Sequence, residues 1–142
     1  MDNTDSCRNV LVLCTGNSCR SIMAERLINH MGERRYKAES AGSKPAGYVH
    51  PESIATLQRH GIDPGELHSK SWDEFAGRSF DLVITVCDQA ANEGCPYFPG
   101  DYQKLHWSIP DPAAVQGDEA IVDAAFEDVF ELLRLRIREE LL

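Results

Sequence analysis

Two cysteines, an arginine and a serine in CTGNSCRS, residues 14–21, are spaced to do chemistry on an anion. Cys14 ends the apolar run NVLVLC, and Arg20 and Ser21 lead into the helically patterned SIMAERLINHMG. A strand-to-helix turn of this kind points successive backbone N–H groups into one concavity, and the start of the helix adds partial positive charge. Such a nest binds a tetrahedral oxyanion. The expected anion-binding residues are Thr15, Gly16, Asn17, Ser18, Cys19, Arg20 and Ser21. Gly16 allows backbone angles that other residues avoid, Asn17 braces the loop, and Arg20 offers a planar fork to two oxygens. The same field is expected to lower the pKa of Cys14 and free its thiolate as a nucleophile, with Ser21 donating a hydrogen bond to the sulfur. Cys19 is expected to pack against the core or line the loop. Cys-x5-Arg alone is a weak pattern, since a buried thiol before a helix also produces it. The flanking strand and helix, with Gly16, Asn17 and Ser18 between them, favour the anion site.

The elements that must position this loop follow from the apolar pattern. NVLVLC and FDLVITVC are near-continuous apolar runs, as expected of strands covered on both faces. YKAESAG and KLHWSI are two further strand candidates. HPESIATLQRHGID reads as a helix with Pro51 in its first turn and Gly61 at its end, SWDEF as one helical turn, and DEAIVDAAFEDVFELLRLRIREELL as a long amphipathic helix. Strands alternating with helices predict an α/β fold with a parallel sheet, whose binding sites lie at the carboxyl ends of the strands. Cys14 and Cys87 both fall at such ends.

The chain of 142 residues predicts a single domain over 9–142 behind a flexible tail over 1–8. A net charge of −9 argues against generic nucleic-acid binding. No apolar run approaches the roughly 20 residues of a membrane span. The polar, acidic MDNTDSCRN fits neither a signal nor a transit peptide, so a cytoplasmic location is expected. Cys7, Cys14, Cys19, Cys87 and Cys95 make five cysteines, and no disulfide framework is expected in that setting. Cys7 lies in the tail and is given no role. Trp72 and Trp107 read as packing residues, and His68 as surface or core.

CTGNSCRSIMAE resembles the phosphate-binding loop of low-molecular-weight protein tyrosine phosphatases and the related arsenate reductases, and the likeness runs from Val10 into the closing helix. It implies a three-layer fold, a four-stranded parallel sheet flanked by helices, with Cys14 as nucleophile and Arg20 as anion clamp. It also implies a general acid in an Asp-Pro pair, which SIPDPAAV supplies as Asp111 before Pro112. Oxygen leaving arsenate must take up a proton, and a residue before proline is pushed to an extended conformation, which suits a carboxylate on a loop.

Phosphatase and reductase share these features; FDLVITVCDQAANEGCPYFPG separates them. The reductases it resembles carry two further redox cysteines after this strand, here Cys87 and Cys95. The resemblance implies a relay from Cys14 to Cys87 to Cys95 by thiol–disulfide exchange, regenerated by thioredoxin, or by glutaredoxin with a low-molecular-weight thiol. Were 87–95 helical, its ends would lie about 12 Å apart, beyond the roughly 7 Å that a disulfide spans. That segment is therefore expected to be non-helical or to rearrange, and to be the most mobile part of the chain. Cys87 and Cys95 as two unrelated buried thiols, or as zinc ligands with His106, are weaker readings; the latter lacks a fourth ligand. The resemblance further implies a monovalent cation, potassium, beside the loop near Glu25 and Ser40. Lys70 could place an ammonium there instead, although an exposed lysine is the plainer expectation. No tightly bound cofactor or metal is expected, and a monomer is the default. Arsenate, with phosphate or sulfate as a related oxyanion, is the expected ligand. The alternatives are a low-molecular-weight protein tyrosine phosphatase using Cys14, Arg20 and Asp111, and a non-catalytic anion-binding protein.

Overall fold

The computed structural model describes residues 7–33, 35–65, 67–87 and 98–142. Four strands, β1 (Arg8–Cys14), β2 (Tyr36–Gly42), β3 (Leu82–Thr85) and β4 (Gln103–His106), form one sheet in the order β2-β1-β3-β4. Every pairing is parallel. The helices are α1 (Arg20–Gly32), α2 (Pro51–Arg59) and α3 (Glu119–Glu140), with short 3-10 turns at Trp72–Phe75 and Pro112–Ala114. This is the expected α/β architecture. No helix among the described residues is long and apolar enough to cross a membrane.

The two central strands are apolar on both sides because both faces are covered. Val10, Val12 and Cys14 face a core shared with Met23 and Leu27 of α1 and with Phe126, Phe130 and Leu133 of α3. Leu11 and Leu13 point the other way, into a smaller cluster with Trp72, Phe75, Phe80 and Phe98. Period-2 alternation thus commits Cys14 to the face that carries α1.

Some boundaries move. The tail was expected over 1–8, but Arg8 already pairs with Tyr36 in β1. β3 stops at Thr85, so Cys87 lies just past the strand instead of ending it. Val86 still donates to Leu13 O at 2.9 Å, which keeps the chain alongside β1. β4 covers Gln103–His106 and leaves Trp107, Ser108 and Ile109 beyond it. Trp107 N and Ile109 N continue the ladder to Thr85 O and Val86 O, and hold the following loop against the sheet end. Trp72 and Trp107 are buried, as packing residues should be. Cys95, and with it the expectation for the mobility of 87–95, lies outside the described residues.

Candidate active site

The loop from Cys14 to Arg20 is held by its carbonyls. Cys14 O accepts from Ser43 N, Thr15 O from Lys44 N, Gly16 O from Ala46 N and Ser69 Oγ, and Ser18 O from His50 N and Ser53 Oγ. A peptide's N–H points away from its carbonyl. Tying these carbonyls outward therefore turns the following N–H groups toward the loop's interior. The visible case is Asn17 N, which donates to Cys14 Sγ at 3.1 Å. Cys19 caps α1 with no side-chain hydrogen bond, so the first-turn donors keep their anion-binding capacity.

The left-handed residue of the loop is Asn17, at φ 48, and not Gly16 as expected. Asn17 tolerates that conformation because its side chain is bonded on every side. Its Nδ2 donates to Ser21 Oγ at 2.9 Å and to Ser40 Oγ at 3.0 Å, and its Oδ1 accepts from Lys70 N at 2.9 Å. The glycine that geometry demands is Gly42, at the end of β2, where a Cβ would sit 2.3 Å from Thr15 O.

Behind the loop these contacts form a buried polar chain. Ser21 Oγ lies 2.9 Å from Cys14 Sγ. Because it accepts from Asn17, its own proton can point at the sulfur. Ser40 donates to Glu25 Oε1 at 2.8 Å. Lys70 Nζ approaches that oxygen to 3.8 Å, with its side chain only 13% exposed. The plainer expectation of an exposed lysine is thus overturned, and the ammonium stands in the place considered for potassium. Arg26 Nε is 3.3 Å from the other Glu25 oxygen.

Burial pushes the Cys14 thiol above its ordinary value; hydrogen bonds with Ser21 and Asn17 N pull it back, and Cys87 nearby pushes it up again. The expected lowering is therefore corrected: removing the sulfur from water outweighs the donors around it. Cys19 is also raised by burial, against hydrogen bonds with Ser18 and Ser53.

In front of the loop a cavity of about 590 Å³ is lined by Cys14, Thr15, Gly16, Ser18, Cys19 and Arg20. Cys87, Ile109 and Asp111 close it from the other side. Asn17 and Ser21, counted from the sequence among the anion-binding residues, are fully buried, and their side chains serve the loop from behind. Arg20 Nη1 donates to Ile109 O at 3.0 Å and Nη2 lies 3.8 Å from Asp111 Oδ2, so α1 and the loop after β4 meet across the mouth. Asp111 is extended (φ −83, ψ 109), as a residue before proline should be. Its Oδ1 accepts from Ala113 N at 3.0 Å.

The register explains the second thiol. Leu13 pairs with Thr85, and two residues further on Thr15 faces Cys87. Thr15 Oγ1 and Cys87 Sγ are 3.4 Å apart. Both Cys14 and Cys87 are 3% exposed. Sequence reasoning missed the bracing groups His50, Ser53 and Ser69 and the Ile109 carbonyl, because they arrive from distant segments with no spacing of their own. His106 Nδ1 is 2.7 Å from Thr85 Oγ1, at the end of the outer strand. Among the described residues His60, Glu127 and Glu131 bring metal-capable atoms within 4.8 Å of one another. There Glu127 is engaged by Arg59 and His60, and Glu131 by Arg134.

A family model described as low molecular weight phosphotyrosine protein phosphatase matches residues 9–141. An arsenate reductase of Bacillus licheniformis is 37% identical over 132 residues, which is 92% of this chain and 93% of that protein. The solved structure of an arsenate reductase from Archaeoglobus fulgidus matches with a TM-score of 0.68 at 31% identity, over 91% of this chain and 98% of that one. A thioredoxin-dependent arsenate reductase of Corynebacterium glutamicum also matches with a TM-score of 0.68, at 26% identity, over 94% of this chain and 61% of that one.

Proposed function

Since the chain belongs to the low molecular weight phosphotyrosine protein phosphatase family, we propose that it uses the family's anion loop to reduce arsenate to arsenite. One observation carries this reading: a second buried thiol, Cys87, lines the same cavity as Cys14. Hydrolysis of a phosphate ester has no use for it. The relatives named above are arsenate reductases, whereas the phosphatase alternative rests on the family-level fold alone.

In this reading the loop N–H groups and Arg20 hold the arsenate oxyanion. Cys14 attacks arsenic as the thiolate, with the Ser21 hydroxyl and Asn17 N–H stabilising charge on its sulfur. Asp111 gives the departing oxygen a proton, so water leaves and a Cys14–arsenic bond remains. Cys87 then attacks Cys14 Sγ. The sulfur–arsenic bond breaks with its electron pair on arsenic, arsenite departs and a Cys14–Cys87 disulfide is left. Thr15 steadies Cys87 for that attack. Cys95 next attacks Cys87, restores Cys14 and forms the Cys87–Cys95 disulfide. Arsenic gains two electrons, the thiols lose two, and an external dithiol restores them. Thioredoxin is the preferred reductant, given the C. glutamicum neighbour; glutaredoxin with a low-molecular-weight thiol is the second route. Phosphate and sulfate would compete for the loop. Lys70 would take the part of potassium beside Glu25. The protein would act as a cytoplasmic monomer.

The test is arsenite release by the reduced protein in a single turnover, followed by arsenate-dependent NADPH oxidation with thioredoxin and its reductase, or with glutathione and glutaredoxin. Cys14→Ser and Cys87→Ser should release no arsenite. Cys95→Ser should release it once and then stop. A wild type that releases none, yet hydrolyses an aryl phosphate equally well with Cys87→Ser, would falsify the proposal in favour of the phosphatase.

A further inference from the structure

The loop that carries Asp111 lines two cavities. One is the site itself. The other, of about 220 Å³, lies against α3, with Pro112, Val115, Ala125, Val129 and Leu132 as its apolar walls. Two carboxylates, Asp111 and Asp128, complete its lining together with Pro110. Pro110 and Asp111 belong to both cavities.

We propose that this second cavity seats one apolar side chain, flanked by a lysine or arginine, from the protein dithiol that reduces the relay disulfide. The inference rests on the relay reading above and adds where the reductant docks. Size is the first argument. The cavity is smaller than the about 300 Å³ at which small-molecule sites begin, and it suits a single aliphatic or aromatic side chain. Such an anchor in a pocket is how a small interface concentrates its binding energy. Charge is the second. Asp111 and Asp128 stand beside the apolar walls, and the whole chain carries −9, so a complementary surface is basic around an apolar centre. The same charge disfavours a second copy of this chain as the occupant. Position is the third. A protein anchored here touches the far side of the Pro110–Asp111 segment that walls the thiol cavity. Its surface then lies beside the cavity that Cys87, one partner of that disulfide, lines. Val115, at 38% exposure, is the large aliphatic side chain on this loop that such a partner would cover.

The test uses the full-length chain with thioredoxin as the probe dithiol and two variants outside the catalytic machinery, Val115→Asp and Asp128→Lys. Each should raise the KM for thioredoxin about tenfold, the loss of roughly 1.4 kcal/mol. Single-turnover arsenite release, which needs no partner, and the KM for arsenate should stay unchanged. An unchanged thioredoxin KM in both variants overturns the docking site. So does a wild type that releases arsenite once but is not recycled by thioredoxin, or a wild-type dimer that Val115→Asp converts to monomer. A wild type that releases no arsenite at all fails earlier and takes the relay reading down with the inference.

Discussion

Ser21→Ala is the sharpest perturbation of the loop. Ser21 is fully buried, and its hydroxyl is 2.9 Å from Cys14 Sγ while accepting from Asn17 Nδ2. Burial raises the Cys14 thiol, and Ser21 is the largest of the influences that pull it down. A hydrogen bond to a charged group contributes about 1.5–3 kcal/mol. If the bond acts mainly on the thiolate, its loss should slow the attack on arsenate about 10- to 100-fold at neutral pH. The assay is rapid-quench arsenite release from reduced protein as a function of pH, with iodoacetamide alkylation of Cys14 followed in parallel. Both profiles should move to higher pH, and the rates should converge with wild type on the alkaline side. Asn17 Nδ2 keeps Ser40 as an acceptor, so thermal stability should fall only modestly. A Ser21→Ala protein within twofold of wild type at neutral pH refutes the reasoning. A loss that alkali does not recover assigns Ser21 to holding the loop's shape rather than to charge.

Other perturbations test the scaffold. Gly42→Ala drives a Cβ into the Thr15 carbonyl at 2.3 Å, where only backbone could yield; about 1–3 kcal/mol of stability should be lost, together with protection by phosphate in thermal melts. Lys70→Ala should destabilise by less than the about 3–5 kcal/mol of a broken buried pair, because Arg26 and Ser40 still serve Glu25, and potassium but not lithium should restore part of the loss. Glu52 and Glu127 should show opposite pH trends. The Glu52 carboxyl is raised by a hydrogen bond with Asp123, then by burial. Its folded form therefore holds the proton more tightly, and stability falls as pH rises above the ordinary carboxylate value. Glu52→Gln should raise Tm at pH 7 and not at pH 4. At Glu127 burial pulls upward but is outweighed by His60 and Arg59, leaving the carboxyl lowered. Its contribution is present above the ordinary carboxylate value and lost as pH falls through the folded one. Glu127→Gln should lower Tm at pH 7, with the difference closing in acid.

What was legible in the sequence was what local spacing encodes. VLVL reads as a strand covered on both faces, and CTGNSCRS, set between that strand and a helical pattern, favours an anion nest over a plain buried thiol. Asp111 was legible through the family resemblance, since Asp-Pro by itself marks a turn more often than an acid; the proline accounts only for its extended backbone. Illegible features came from distant contacts. Nothing in PESIATLQR marks Ser53 as a brace for Ser18 O, and LHSKSW allowed Lys70 only as the lesser alternative to an exposed lysine, although it stands beside the buried Glu25 carboxylate. The left-handed position went to Asn17 instead of Gly16 because three side-chain hydrogen bonds, made with Ser21, Ser40 and Lys70, repay its backbone angle. The Cys14 pKa was misjudged for a related reason: the sequence displays the donors, while burial is a property of the packed fold.

The sheet also explains how two thiols come to share one cavity. In a parallel pair, residues that follow two neighbouring strands emerge side by side at the carboxyl edge. The register of β1 with β3 puts Thr15, next to Cys14, against Cys87. A thiol at that point is within reach of the residue next to Cys14 without any change to the loop. Each thiol then has its own hydroxyl, Ser21 behind the loop for Cys14 and Thr15 in front of it for Cys87. Thr15→Val keeps the shape and removes only the front hydroxyl. Formation of the Cys14–arsenic adduct should proceed as in wild type while arsenite release slows. Equal slowing of both steps would mean that Thr15 acts on the loop as a whole.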